Sequence, residues 1–339
     1  MSDATVDITI VGAGPTGLSA AFWAGMRQAS CRIIDSLPEI GGQCTALYPE
    51  KWIYDVPGHP RILAGELVAR LREQIEPFAV PIHLETMAER LEYDGEEIVL
   101  HTDDGELRSR TVIVAGGHGA VEPKRLPATD ADLDPWEGLG VRYLVGDKQE
   151  LAGRRVAVVG GGDSALDWVL NLLDTAAEVT LVHRRDRYRA HEATVAEVMA
   201  HVDAGRVGLR APCTIAGVEG DGRLEALLLN HREAGFVERL ECDAVLLQLG
   251  FASRLGPLRD WGFDIERNAL KVDPLMQTSL DRVWACGDVA TADGKLALIA
   301  MGFAEAATAV SQALLRVRPG MTLQPAYSTD TGVPGMAVR

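Results

Sequence analysis

This chain is short of positive charge. Against 49 aspartates and glutamates, its 339 residues hold only 33 lysines and arginines, for a formal net charge of −16. A nucleic-acid binder needs a cationic footprint to displace phosphate counterions, so that class is excluded. Docking on an anionic membrane is excluded on the same ground. A local basic patch can still oppose the global field and take an acidic partner. No apolar run approaches the roughly 18 residues of a spanning helix, so none is expected. A signal peptide would need a basic start and an apolar stretch ahead of cleavage. Instead a strand-like run begins at Val6, and a cytoplasmic protein is expected. Cysteine is scarce and odd in number: Cys31, Cys44, Cys213, Cys242 and Cys286, widely spaced, with no C-x-x-C. That pattern fits reduced thiols in a cytoplasm, at least four of them small buried apolar residues. The eight histidines lack metal-ligand spacing, and no metal is expected.

What is present is an ordinary globular composition, 47% hydrophobic and 24% charged. The length suggests two domains, each able to bury a core. Short β-rich runs alternate with amphipathic segments. Val6–Val11 reads as a buried strand, 17–28 as a helix and 32–34 as a second strand. The layout recurs with strands at 155–159 and 178–183 around a helix at 164–173. Two such βαβ units predict parallel sheets covered on both faces. Further strands are expected at 111–114, 244–249 and 283–285, ahead of an apolar segment at 296–314. The expected fold class is α/β: two Rossmann-like, three-layer nucleotide-binding domains, the second inserted in the first. The first is rebuilt from residues 1–117 and 252–339, and the second spans 118–251.

Three motifs carry chemistry. Gly12-Ala13-Gly14-Pro15-Thr16-Gly17 is a G-x-G-x-x-G directly after a strand. Gly12 permits a tight turn, Gly14 lets the backbone approach a pyrophosphate, and Gly17 lets the helix pack against the sheet. The helix N-terminus offers free N–H groups to phosphates. Asp35 ends the second strand eighteen residues after Gly17, where a carboxylate accepts ribose hydroxyls. Gly160-Gly161-Gly162-Asp163-Ser164-Ala165 fits the G-x-G-x-x-A variant. After its second strand stands His183-Arg184-Arg185, with Arg187 and Arg189 close by, where the first unit has an acid. A carboxylate would repel a 2′-phosphate, whereas guanidinium groups bind one, so this loop is assigned to NADPH in preference to NADH. The competing reading is a solvated basic turn. Cys286-Gly287-Asp288 follows a strand; alone Gly-Asp is a common turn, but as the third element of this series Asp288 is a candidate partner for a ribityl hydroxyl of FAD.

The order G-x-G-x-x-G, Gly41-Gly42-Gln43, G-G-G-D-S-A, H-R-R-x-x-x-R and G-D resembles the low-molecular-weight thioredoxin reductases. The stretches Gly25-Met26-Arg27-Gln28-Ala29-Ser30, Tyr48-Pro49-Glu50-Lys51, Ile53-Tyr54-Asp55-Val56, Arg184 to His191 and Ser253 to Gly262 are more specific. They resemble the thioredoxin-reductase-like ferredoxin–NADP⁺ reductases over nearly the whole chain. Thioredoxin reductases carry a C-x-x-C just before the second glycine motif. Here that region reads Tyr143-Leu144-Val145-Gly146-Asp147-Lys148-Gln149, so electrons must leave the flavin directly.

The resemblance implies the following. FAD contacts fall at Gly12, Gly14, Thr16, Gly17, Asp35, Gly42, Gln43, Tyr48, Ala88, Val121, Asp288 and Thr329. Tyr48 stacks on one isoalloxazine face, and Tyr327 of a homodimer partner covers the other, at a place where many relatives have histidine. Packing against the core is the competing reading for both tyrosines. NADPH is held by Gly160, Gly162, Asp163, Ser164, Arg184, Arg185 and Arg189. Hydride passes to the flavin, and electrons then pass singly to ferredoxin or flavodoxin, with no side-chain acid, base or nucleophile required. A domain rotation could bring nicotinamide to flavin, with the glycine-rich break at 116–119 as hinge. Since ferredoxins and flavodoxins are acidic, a basic rim of Lys51, Lys124 and Arg125 is expected near the flavin edge. Two rivals stand beside this reading: an NADPH-dependent flavin reductase whose acceptor is a quinone, oxygen or a small disulfide, and a non-turnover flavin sensor.

Overall fold

The structure is a computed structural model. It describes residues 4–127, 130–143, 145–231 and 234–334, with the backbone alone at 120–123 and 251–254. Two compact units emerge: Met1–Val121 with Ser253–Arg339, and Glu122–Ala252.

The first unit is built on a mixed sheet. Its parallel part runs Ile82–His83, Cys31–Ile34, Val6–Val11, Gly105–Val114, Val283–Ala285. The strand Gly105–Val114 then turns the sheet antiparallel, pairing Glu97–Thr102, which pairs Ala88–Asp94. Side chains alternate across the parallel part as the pleat requires. Ile8, Ile10, Ile33 and Ile113 enter one core with the helices Pro15–Met26 and Ile299–Val317. Val112, Val114, Val283 and Ala285 enter a second core on the opposite face.

The second unit holds a five-stranded parallel sheet in the order Val141–Arg142, Ala244–Leu247, Arg155–Val159, Glu178–Val182, Gly208–Arg210. Both faces are covered. Ala157, Val159, Val245 and Leu247 point to one core, and Val156, Val158, Ala244 and Leu246 to the other. The first of these cores lies against an antiparallel sheet of Thr214–Glu219, Ala226–His231 and Phe236–Glu241. The second is closed by the helices Asp163–Leu172 and Glu192–Asp203.

The parallel strands Val6–Val11, Cys31–Ile34, Gly105–Val114, Arg155–Val159, Glu178–Val182, Ala244–Leu247 and Val283–Ala285 fall on the predicted hydrophobic runs, whereas the short edge strands Ile82–His83, Val141–Arg142 and Gly208–Arg210 were not predicted. The antiparallel sheets were not expected. Ala88–Asp94 and Phe236–Glu241 show most of their residues to solvent and carry no apolar run, whereas Glu97–Thr102 and Ala226–His231 do carry short ones, at 98–100 and 226–229. Among the described residues no helix is long and apolar enough to cross a membrane.

Candidate functional site

In the first unit the three glycines of the loop meet three different surroundings. Gly12 has φ +115°, and a Cβ there would lie 2.4 Å from the Ala115 carbonyl oxygen. A Cβ on Gly17 would lie 1.8 Å from the Gly12 oxygen. A Cβ on Gly14 would meet nothing within 4 Å. Two glycines therefore let backbone pack on backbone, and the third faces open space where a ligand can approach. Gly14 is also the N-cap of Pro15–Met26 and makes no side-chain capping bond, so the first-turn N–H groups keep no side-chain acceptor. That combination fits a pyrophosphate.

Other segments converge on this loop. Gly41 N–H donates to the Ala13 oxygen at 2.9 Å, and a Cβ on Gly42, at φ +55°, would stand 3.3 Å from the Gly14 Cα. Asp35 accepts from Ala13 N–H at 2.6 Å through Oδ2 and from Leu37 N–H at 2.9 Å through Oδ1. Burial prevails and raises the Asp35 pKa, against these two bonds, which oppose it by favouring the carboxylate. Thr16 fills the space left by two glycines: a Cβ on Gly287 or on Gly302 would fall 2.7 or 2.3 Å from its Oγ1. Asp288 follows directly, its Oδ2 3.4 Å from His118 Nδ1, which is 3.3 Å from Gln43 Nε2. Gly12, Gly14, Thr16, Gly17, Asp35, Gly42, Gln43 and Asp288 thus form one connected cradle.

His118 belongs to this cradle and was read in the sequence only as part of a glycine-rich break. A histidine placed among three glycines was the available signal. The turn is closed by a bond from Gly119 N–H to the Gly116 oxygen, with Gly117 and Gly119 at positive φ.

Five further residues stand differently. Tyr48 is half-buried against the core, with the Cys44 thiol donating to its Oη at 4.0 Å, and burial raises its pKa. Ala88 is buried among Ile34, Leu100 and Leu107, so its methyl faces a core. The side chain of Val121 lies outside the described residues. Thr329 and Tyr327 sit at the short helix Ser328–Thr331, and Tyr327 is 69% exposed. Core packing, one reading of Tyr327, is therefore wrong within this chain. The arm that carries it is anchored by Arg27, which is buried and donates to the carbonyls of Thr322 at 2.6 Å and Leu323 at 2.7 Å.

In the second unit Gly160 has φ +158°, and a Cβ there would lie 2.3 Å from the Gln248 oxygen. A Cβ on Gly161 would strike the His183 ring at 2.3 Å, while one on Gly162 would meet nothing within 4 Å. Gly162 caps Asp163–Leu172 without a side-chain bond, as Gly14 does in the first unit. The loop opens on a cavity of about 910 Å³, lined also by Arg184, Arg185, Arg187, Arg189 and Gln248. The arginines are exposed, and among the described residues no carboxylate pairs with Arg184, Arg185 or Arg189. Arg189 N–H donates to the Gly161 oxygen at 2.7 Å, which docks the basic segment over the glycine loop. His183 stacks on Tyr188 at 5.3 Å. Burial lowers the His183 pKa; a backbone bond at Arg187 opposes this, and the charges of Arg184, Arg185 and Arg189 add to it. The imidazole is thus held neutral beneath an electropositive mouth. Asp163 accepts from His191 N–H at 2.9 Å and so braces the segment behind the arginines. Ser164 is exposed at the same helix start.

Two of the three cations expected at a basic rim have the following surroundings. Arg125 is bound to Asp134 at 2.9 Å and Glu137 at 3.1 Å, which neutralises it. Lys124 lines the cavity of the second unit.

All five cysteines are free and buried. Burial pushes the thiols of Cys31 and Cys242 to about 12 and that of Cys213 to about 11, and raises Cys44 and Cys286 too. Thiolate is the reactive form. A disulfide-exchange reagent such as DTNB is therefore expected to titrate no thiol in the native protein and five in denaturant. Rapid native reaction of two thiols would reveal a redox pair.

A profile of the pyridine nucleotide-disulphide oxidoreductase family matches residues 6–313. The chain is 47% identical over 330 residues to a ferredoxin–NADP reductase of Thermus thermophilus, covering 97% of this chain and 98% of that one. It is 45% identical over 325 residues to ferredoxin–NADP reductase 2 of Bacillus subtilis, with 96% of each chain covered. Its fold is similar to that of thioredoxin reductase from Lactococcus lactis, with a TM-score of 0.75 at 22% identity over 92% of this chain and 99% of that one. It is also similar to bacillithiol disulfide reductase from Staphylococcus aureus, with a TM-score of 0.73 at 17% identity over 93% of this chain and 99% of that one.

Proposed function

Because the chain belongs to the pyridine nucleotide-disulphide oxidoreductase family, and within it to the ferredoxin–NADP reductases, we propose that it moves electrons between NADPH and ferredoxin or flavodoxin through bound FAD. The observation that carries this reading is the pairing of two uncapped glycine loops with opposite ribose partners. One is tied to the carboxylate of Asp35, and the other opens on Arg184, Arg185 and Arg189, which have no carboxylate partner among the described residues.

Bound FAD would supply the redox chemistry, accepting a hydride from NADPH and releasing the electrons one at a time. The chain's own residues bind and orient. Gly12, Gly14 and the helix start behind them receive the FAD pyrophosphate, and Asp35 takes the ribose. Asp288, Gln43 and Tyr48 would hold the flavin end. Gly160, Gly162, Asp163 and Ser164 receive the NADPH pyrophosphate, and Arg184, Arg185 and Arg189 take the 2′-phosphate. The buried thiols leave disulfide relay without a participant.

The protein acts in the cytoplasm as a homodimer, in which Tyr327 and Thr329 reach the flavin of the other subunit. The exposure of Tyr327 and Leu323, on an arm anchored by Arg27, supports that role.

Anaerobic rapid mixing tests the reading. NADPH should bleach the flavin band, and oxidised ferredoxin should restore it over repeated turnovers, while thioredoxin disulfide should not. A flavin that NADPH leaves oxidised would defeat the proposal.

A further inference from the structure

Beneath the Gly287–Asp288 turn lies a charged pair that the reading above does not use. Lys295 Nζ stands 2.7 Å from Glu305 Oε1 and 2.8 Å from Oε2, with side-chain exposures of 10% and 8%. Glu305 Oε2 also accepts from Gly287 N–H at 2.8 Å. Glu305 projects from the helix Ile299–Val317, and Lys295 from the segment that leads into it.

Burying two charges costs several kcal/mol per ion unless each is paired and hydrogen-bonded, and apolar residues of similar size often serve stability equally well. A tie between helix and loop would therefore not need charge. The Gly287 N–H explains it better. That group lies just past the end of the strand Val283–Ala285, where the sheet supplies no acceptor. A buried N–H without an acceptor is costly. Glu305 supplies the oxygen, and Lys295 neutralises the carboxylate that results. From the other side Thr16 presses on Gly287, whose φ is +75°. The turn is thus held between Thr16 and Glu305, and Asp288 emerges from it toward His118 and Gln43.

We infer that Glu305 and Lys295 are positioning residues for the flavin: through Gly287 they hold Asp288 in place, and so set FAD retention and flavin potential. The inference rests on the reading of Asp288 as an FAD contact.

Paired substitutions in the holoenzyme separate this from a structural tie. In Lys295→Met with Glu305→Gln the buried charges are gone, but an amide oxygen remains for Gly287. In Lys295→Met with Glu305→Leu the acceptor is lost as well. Flavin fluorescence after dilution reads FAD release, dye equilibration reads the two-electron potential, and Asp288→Ala runs in parallel. The leucine pair is expected to release FAD about tenfold faster or more, the loss set by an unpartnered buried N–H. Its potential should shift in the same direction as that of Asp288→Ala. The glutamine pair should stay within about threefold of the parent in release, with its potential unmoved. If both pairs keep FAD and potential and only melt lower, the inference is overturned. If Asp288→Ala loses FAD and the leucine pair does not, the inference alone falls. If Asp288→Ala keeps FAD as the parent does, the Asp288 reading fails and takes the inference with it. Should the leucine pair not fold, Glu305→Asp replaces it: a charge stays for Lys295, but the shorter side chain falls short of Gly287, and the same acceleration is expected.

Discussion

Alanine at both Arg184 and Arg185 is expected to raise the KM for NADPH about a hundredfold and to leave that for NADH within about threefold, as initial rates with the two coenzymes would show. A hydrogen bond to a charged group contributes about 1.5–3 kcal/mol, and about 1.4 kcal/mol is tenfold in affinity. Two such groups give at least the hundredfold. The arginines line the cavity without carboxylate partners among the described residues, so their loss strands no buried charge and the unfolding midpoint should hold. The maximal rate at saturating NADPH should also hold, because a contact to the adenosine end is made equally in ground and transition states. His183 offers a second readout. Its pKa is lowered mainly by burial and further by these cations, so removing two of them should move it back up toward the ordinary imidazole value, as an NMR titration would record. An equal rise in KM for NADH would mean that the arginines shape the cavity and do not read the phosphate.

Legibility in the sequence followed the physics of each element. Fully buried parallel strands are near-continuous apolar runs, and Arg155–Val159 and Val283–Ala285 lie within the runs that predict them. The glycine loops were legible because each required glycine answers a distinct constraint, visible as spacing. Gly161 was different. It stood as an unassigned position of the motif, and only the His183 ring 2.3 Å from its Cβ position shows why a side chain is excluded. Contacts between distant segments leave no periodicity. Nothing near Lys295 or Glu305 announces that they meet at Gly287, and nothing near His118 announces Asp288. Arg125 looked like a free surface cation because its partners, Asp134 and Glu137, become neighbours only through the fold.

Valine at four glycines is expected to give three separable outcomes, and the largest is at Gly14. Gly14 has φ −70° and ψ 179°, an extended conformation open to any residue, and a Cβ there touches nothing. Gly14→Val should therefore fold with unchanged circular dichroism, yet emerge colourless. The isopropyl group would occupy the approach to the helix N-terminus and cost the phosphate its backbone bonds, with FAD affinity falling about a hundredfold or more. Gly162, at φ −103° and ψ 179°, is equally tolerant, so Gly162→Val should stay yellow and lose NADPH in the same measure. Gly17→Val should fail to fold, since its Cβ would lie 1.8 Å from a backbone oxygen that has nowhere to go. Gly160→Val should do the same at 2.3 Å from the Gln248 oxygen. The ratio of flavin to protein absorbance, read beside the unfolding midpoint and the rate of reduction by NADPH, distinguishes the three outcomes. A Gly14→Val protein that retains one FAD per chain would place the FAD pyrophosphate elsewhere. A Gly162→Val protein still reduced by NADPH at the parent's rate would do the same for the second nucleotide. The contrast carries the test, because the same added atoms are predicted to be harmless to the fold at the two glycines that face open space and fatal at the two that face backbone.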